Sequence, residues 1–403
     1  MKKKLQNDKK AFVDRIAFFI LCVYIICCYI TYIENLPGGM VSLALYAFIA
    51  VSAFSVLMKR KIVLSFHFLS YGLFLLICII SLLYSYRAST SLAMSISVLK
   101  AFLFSVLMYN IVNSKKRVEI VLAMFGVAAT ILFVYLLSTD QLVVDERLGN
   151  DLVGNANIFA NLFMFSALAM VYFLFSNKGK WATLIFWIIF VAQEYALALS
   201  ASRKNFIIPI VVLFIVMILK TDKKGRKHII TRSIIVAIAA CVLLWSIFEV
   251  PFLYDAIGYR MEGLRNLFTG EGAVDKSTEI RMWMIDYALE LWRRNPILGN
   301  GIDTFKVFNT LYGHCYSHNN FVELLCGVGV VGFLAYYSMY FYLFKNLLKC
   351  KNVGVEKWYW LFALVGICIF EYGAVTYYMF QVQIFIVLAV IFLTRNDMEY
   401  RDE

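Results

Sequence analysis

The residues whose types and spacing could do chemistry fall in four short stretches. GHCYSHNNFVELL (313–325) holds His314 and His318, two of the chain's four histidines. An imidazole can take a proton near neutral pH, so His318 is a candidate base where it opens an apolar run. Glu323 follows it by five residues, and Asn319 and Asn320 can cap a helix or bind sugar hydroxyls. A purely structural histidine fits the same pattern. A metal set of His314, Cys315, His318 and Glu323 is a third reading, but the chain has no matched second cluster and the spacing fits no common metal site. Arg203 lies in LSASRKNF (199–206), a joint between two apolar runs too short to flex. An ionisable residue held there marks a ligand or pathway, or else anchors to lipid headgroups, as its neighbour Lys204 is expected to do. Arg147, Asn155 and Asn157 lie in ERLGNDLVGNANIF (146–159). Asn155 can cap the helix that follows, whose first amides could hold an anion; an ordinary loop is the alternative. Arg281 lies in STEIRMWMIDYALELWRRNP (277–296), where Ile280, Met284, Tyr287, Leu291 and Trp292 form one helical stripe. Ser277 is the expected N-cap and Asn295-Pro296 the stop. Met284 and Ile285 lie at i+3 and i+4 from Arg281, so no acid of its own helix pairs with it. Here too an interfacial helix with one snorkelling arginine is the alternative.

These stretches must be positioned by a membrane bundle. The chain is 62% hydrophobic and 16% charged, with mean hydropathy +0.76, whereas soluble domains are nearer a quarter charged. Apolar runs of about 20 residues suit helices crossing a core of about 30 Å; barrel strands would be shorter and alternate. About twelve spans are expected: 14–33, 40–58, 63–85, 91–112, 118–138, 156–176, 181–200, 205–219, 229–248, 319–344, 357–372 and 374–394. Alternate gaps are basic, as in MKRK (58–61), NSKKR (113–117), NKGK (177–180), KTDKKGRK (220–227) and KNLLKCK (345–351). By the positive-inside rule both termini are cytoplasmic, and the +12 charge is a topology signal, not a nucleic-acid surface. The organisation expected is a bundle over 1–248, an extracytoplasmic loop over 249–318 bearing the amphipathic helix, and three closing spans with a tail over 319–403. Most of the nine cysteines fall inside spans, so no external disulfide framework is expected. Lys100 and Glu194, charged within spans, are expected to pair.

Four features in order resemble a known family: R-x-G with G-N-x-N before a span (147–157), S-R at a span joint (202–203), the arginine-bearing helix followed by NPILGNGIDTF (281–305), and S-H-N-N-F-V-E-L-L-x-x-x-G-x-x-G (317–332). Together they resemble the O-antigen polymerase and O-antigen ligase superfamily of bacterial polysaccharide assembly. The resemblance covers roughly 145–335; the first five spans match by hydropathy alone. It implies an all-α polytopic glycosyltransferase of the GT-C type in the bacterial inner membrane, active on its extracytoplasmic face. Such enzymes move a glycan from undecaprenyl pyrophosphate to an acceptor sugar hydroxyl and need no cofactor, metal or nucleotide sugar. The resemblance assigns Arg203 and Arg281 to the carrier pyrophosphate and His318 to the acceptor. The chain has Gly-Asn-Ala-Asn at 154–157 where relatives often carry a proline.

That chemistry is physically coherent. Fixed guanidiniums stabilise the charge on a leaving pyrophosphate, and a base is needed for the acceptor proton, with Glu323 in reserve. Attack opposite the leaving group inverts the anomeric centre. The acceptor is expected to be a second lipid-linked repeat unit, making the chain a polymerase, with a chain-length regulator and a flippase as partners. The alternative is a ligase acting on lipid A–core. A transporter of lipid-linked sugars would line several spans with charge, which this chain does not.

Overall fold

The computed structural model describes residues 2–34, 36–142, 147–176, 179–219, 226–269, 276–350 and 354–395. In chain order the helices are α1 (Lys2–Ile30), α2 (Met40–Lys59), α3 (Phe66–Ile80), α4 (Ala88–Ile111), α5 (Lys115–Ser138), α6 (Asn150–Val153), α7 (Ala156–Phe175), α8 (Lys180–Leu199) and α9 (Arg203–Leu219). There follow α10 (Arg226–Glu249), α11 (Pro251–Leu253), α12 (Tyr259–Thr269), α13 (Lys276–Arg294), α14 (Phe305–Phe308), α15 (Asn320–Lys349), α16 (Gly354–Glu371) and α17 (Phe380–Arg395). A 3-10 turn extends α3, and a π-turn (Tyr254–Gly258) joins α11 to α12. The described residues contain no β-strand. The protein is an all-α polytopic membrane bundle.

Each predicted apolar run is helical, in α1–α5, α7–α10 and α15–α17. Nine of these are long and apolar enough to cross a membrane. The described parts of α9 and α17, 17 and 16 residues, each run to the edge of the described residues. α16 carries Glu356, Lys357 and Glu371. α7 is the central helix, 83% of its span buried, while α10 is peripheral at 6%.

One end of the bundle is basic. There the Asp14 carboxylate of α1 bridges Lys59 of α2 and Arg117 of α5, and Arg395 of α17 donates to Val112 O and Tyr109 O at 2.9 and 2.7 Å. The basic turns expected at 177–178 and 220–225 lie outside the described residues.

Lys100 and Glu194 do not pair. α4 packs on α1, α2, α3 and α17, and α8 on α5, α7 and α9, so the two charges belong to different neighbourhoods. Glu194 is buried with neither carboxylate oxygen hydrogen-bonded.

The expected span 319–344 is not one straight helix. At Gly329 the backbone takes φ 63° and ψ −169°, dividing α15 into limbs 320–328 and 330–349. Asn320 and Tyr337, about 25 Å apart along a straight helix, are joined side chain to side chain at 3.0 Å. The Phe321 and Tyr337 rings stack at 4.9 Å. The first limb therefore folds back along the second. The ILGNG stretch fills the break: Asn300 N and Gly301 N donate to Cys326 O and Gly327 O at 2.9 and 2.8 Å, while Val330 N and Val331 N donate to Pro296 O and Ile297 O at 3.0 and 3.3 Å. Only glycines permit this approach; a Cβ on Gly329 would lie 2.2 Å from Ile297 O, and one on Gly299 would lie 2.5 Å from Gly327 O.

Two more expectations are corrected. The last span starts at Phe380, not 374; residues 372–379 instead enter the bundle, where Tyr71 Oη of α3 donates to Tyr377 O at 2.7 Å. α13 starts at Lys276, so Ser277 lies inside its first turn. Its apolar stripe does not lie on a membrane surface: Met284, Ala288 and Leu291 pack with Phe305 and with Val322 and Cys326 of the first α15 limb.

Candidate active site

The site is assembled from four elements, starting at the 147–157 segment. Asn155 caps α7 as expected, its Oδ1 accepting from Asn157 N at 2.9 Å. Asn157 ties the segment to the α8–α9 joint: its Oδ1 accepts from Arg147 Nη2 at 3.3 Å and from Ser202 Oγ at 3.1 Å. Arg147 Nε also donates to Ser200 O at 3.1 Å, and Leu148 N to Leu199 O at 3.0 Å. Arg147 is thus fixed to the joint that carries Arg203.

Arg203 opens α9 and reaches the 249–318 segment, donating from Nη1 to Arg260 O at 2.8 Å and from Nη2 to Thr278 Oγ1 at 2.9 Å. Thr278 lies one turn from Arg281 on α13, so Arg203 and Arg281 are brought to the same region. Lys204 is not a headgroup anchor. Its ammonium donates to Gly373 O at 2.5 Å and lies 4.3 Å from the Phe370 ring, at the negative end of the α16 dipole.

His318 does not sit at the rim of the bundle. Ser317, Asn319 and Asn320 around it are fully or almost fully buried, and the first α15 limb starts beside residues 376 and 377. His318 itself has φ 58° and packs its ring 4.5 Å from Tyr316. Burial first, then the charges of Arg281 and Lys204, lower its imidazole to about 4. Burial first, then the charges of Arg260, Arg281 and Arg203, hold the Arg147 guanidinium down to about 10, with Tyr259 opposing. Arg281 thus acts on Arg147 and on His318, which come from segments far apart in the chain. Arg260, Arg281 and Arg203 thus neighbour Arg147, and Arg281 and Lys204 neighbour a neutral His318.

The remaining candidates have other positions. Asn319 caps α15, accepting from Phe321 N and Val322 N at 2.9 and 3.2 Å. Asn320 Oδ1 accepts from Thr376 N at 2.9 Å and Tyr377 N at 3.3 Å, while its Nδ2 is spent on Tyr337. Glu323 Oε2 accepts from Ser317 N at 2.8 Å and steadies the turn before the helix; its buried Oε1 has no hydrogen-bond partner. His314 is exposed, its Nδ1 3.0 Å from Lys306 O. Among the described residues no three His, Cys, Asp or Glu side chains are grouped to hold a metal, and His314, Cys315, His318 and Glu323 form no such set.

Sequence reasoning missed Arg260, Thr278 and Glu371. Nothing in their spacing marks the first two. Glu371 ends α16 and accepts from the hydroxyls of Thr376, Tyr340, Tyr337 and Tyr336 at 2.6, 2.7, 3.0 and 3.3 Å. The run Y-Y-S-M-Y (336–340) was its only trace, three phenols on one helix face with no partner in sight.

Residues 184–337 match the O-antigen ligase family. That range takes in Arg203, Arg260, Arg281, His314, His318 and Glu323 but not Arg147, Asn155 or Asn157. No curated protein matches the chain. The match supports an O-antigen polymerase- or ligase-type function. Residues 184–337 are an O-antigen ligase family segment, which bears out the O-antigen polymerase and ligase superfamily read from the motifs.

Proposed function

We propose that the protein is a polysaccharide polymerase of the bacterial inner membrane. It transfers a glycan from undecaprenyl pyrophosphate to a hydroxyl of a second lipid-linked repeat unit. The observation that carries this reading is that Arg281 neighbours both His318 and Arg147, while Arg203 is bonded to Thr278, one turn from Arg281 on the same helix. The basic end of the bundle faces the cytoplasm by the positive-inside rule, so the site opens to the extracytoplasmic side.

In this reading the guanidiniums bind the pyrophosphate through charge-assisted forked bonds and stabilise the charge that grows as the sugar–phosphate bond breaks. The acceptor oxygen attacks the anomeric carbon from the opposite face and the configuration inverts. The bond from carbon to the phosphate oxygen breaks, and undecaprenyl pyrophosphate leaves with its electrons. His318 takes the hydroxyl proton. Its lowered pKa keeps the ring neutral at pH 7, able to accept, and the bound pyrophosphate offsets the neighbouring cations and makes it a stronger base. Asn319, Asn320 and Glu323 shape the turn that presents His318.

The second reading is a ligase acting on lipid A–core, and the family match supports both readings alike. The test for catalysis uses purified protein with synthetic undecaprenyl-pyrophosphate repeat units. Longer glycans are expected from wild type and none from Arg203→Ala, Arg281→Ala or His318→Ala. Wild-type product from all three variants would sink the assignment. Lipid-linked intermediates in a deletion strain separate the readings: single repeat units indicate a missing polymerase, and full-length polymer on its carrier a missing ligase.

A further inference from the structure

Arg260, the second residue of α12, belongs to the 249–318 segment, yet it grips the bundle. Its Nη1 donates to Ala201 O at 3.0 Å, and its own carbonyl accepts from Arg203 Nη1 at 2.8 Å. The two bonds form a reciprocal clasp between α12 and the joint that carries Arg203. Ala201 has φ 51°, a conformation sparsely populated outside glycine, so the joint is held in a shape that a short linker would not keep unaided. Thr278 Oγ1 accepts from Arg203 Nη2 at 2.9 Å. Both ends of the Arg203 fork thus bond residues of the 249–318 segment.

We propose that Arg260 is a positioning residue: by clasping Ala201 it fixes the direction of the Arg203 guanidinium toward the anionic headgroup of the lipid-linked donor. The proposal rests on the reading of Arg203 as a ligand of that headgroup. A guanidinium gives phosphate two parallel bonds in only one orientation, so releasing the joint weakens donor binding without removing any group that contacts the reacting carbon. Arg260 is also the strongest of the charges acting on Arg147.

The experiment measures equilibrium binding of a synthetic undecaprenyl-pyrophosphate repeat unit to the full chain in micelles. Wild type, Arg260→Ala, Arg260→Lys, Arg203→Ala and the Arg203→Ala/Arg260→Ala double variant are compared. Arg260→Ala is expected to bind the donor about tenfold more weakly, the loss of one charge-assisted bond being of that order. Arg260→Lys keeps a donor for Ala201 O and is expected to recover most of the affinity. In the Arg203→Ala background the second change is expected to add nothing, because Arg260 acts through Arg203. Unchanged binding by Arg260→Ala overturns the proposal, as do additive losses in the double variant. A fall in turnover and melting midpoint at unchanged affinity also overturns it, since that marks a merely structural residue. If Arg203→Ala binds like wild type, the reading of the site fails first and takes the clasp with it. If Arg203→Ala fails to bind while Arg260→Ala is normal, the site reading stands and only the clasp falls.

Discussion

The break in α15 makes Gly329 the most exacting single position in the fold. Gly329→Ala has two separable costs. The φ 63°, ψ −169° conformation is essentially closed to residues with a Cβ, and holding alanine there costs about 1–3 kcal/mol. The added Cβ would stand 2.2 Å from Ile297 O, so the ILGNG stretch must withdraw. That loosens the bonds of Val330 N to Pro296 O and Val331 N to Ile297 O, at about 0.5–1.5 kcal/mol each. The sum is about 2–6 kcal/mol, a large part of the stability of an ordinary domain. Gly354→Ala is the matched control, because its φ is 54° and a Cβ there would meet nothing within 4 Å. Its left-handed conformation alone costs about 1–2 kcal/mol. Thermal unfolding in micelles should separate the two, with Gly329→Ala the lower, and glycan ladders from complemented cells should be lost only in Gly329→Ala. If the two variants melt together and both keep the wild-type ladder, the fold-back of the first α15 limb is not what places His318.

Three further outcomes follow from the same geometry. His318 is the base in its neutral form and its pKa is lowered to about 4, so kcat/KM should hold as pH falls through 6.5 and drop only near 4; kcat should drop at higher pH, because bound pyrophosphate offsets Arg281 and Lys204. A free-enzyme acid limb at 6.5 would show that His318 is neither buried nor flanked by cations as described. His314→Ala should leave glycan synthesis unchanged, since the exposed ring meets only Lys306 O, whereas His318→Ala should abolish it; equal losses would put His314 in the site. Tyr337→Phe removes a donor to Glu371 and the acceptor for Asn320, and should lower stability by about 1–3 kcal/mol on thermal unfolding. A neutral result there would mean that the network does not tie the limbs of α15.

What could be read in advance was what is local. The spans were legible because about 20 apolar residues have no other stable form in lipid. The Asn155 cap was legible because an Asn side chain reaches only the next few amides. The stripe on α13 was legible as one apolar face, but its partner was not: a 3.6-residue period says that a face is apolar, never what covers it. Lys100 and Glu194 looked like a pair only because both were charges in apolar runs, and which helices neighbour each other is not written in either run.

The break in α15 shows why the rest was hidden. By themselves Gly327, Gly329 and Gly332 suggest close helix approach and Gly299 and Gly301 a loop, and neither stretch names the other. Their meaning is joint, because the amides of one answer the carbonyls of the other across a broken helix. Three helix starts follow the same logic. α9 starts at Arg203, the first limb of α15 at Asn320, and α17 at Phe380, beside buried residues 374–377. A helix that starts inside the bundle must satisfy its first amides there, and Asn319 does so for α15. In exchange the chain can hold Arg203 and His318 below the rim on rigid elements, where charge is screened least by water.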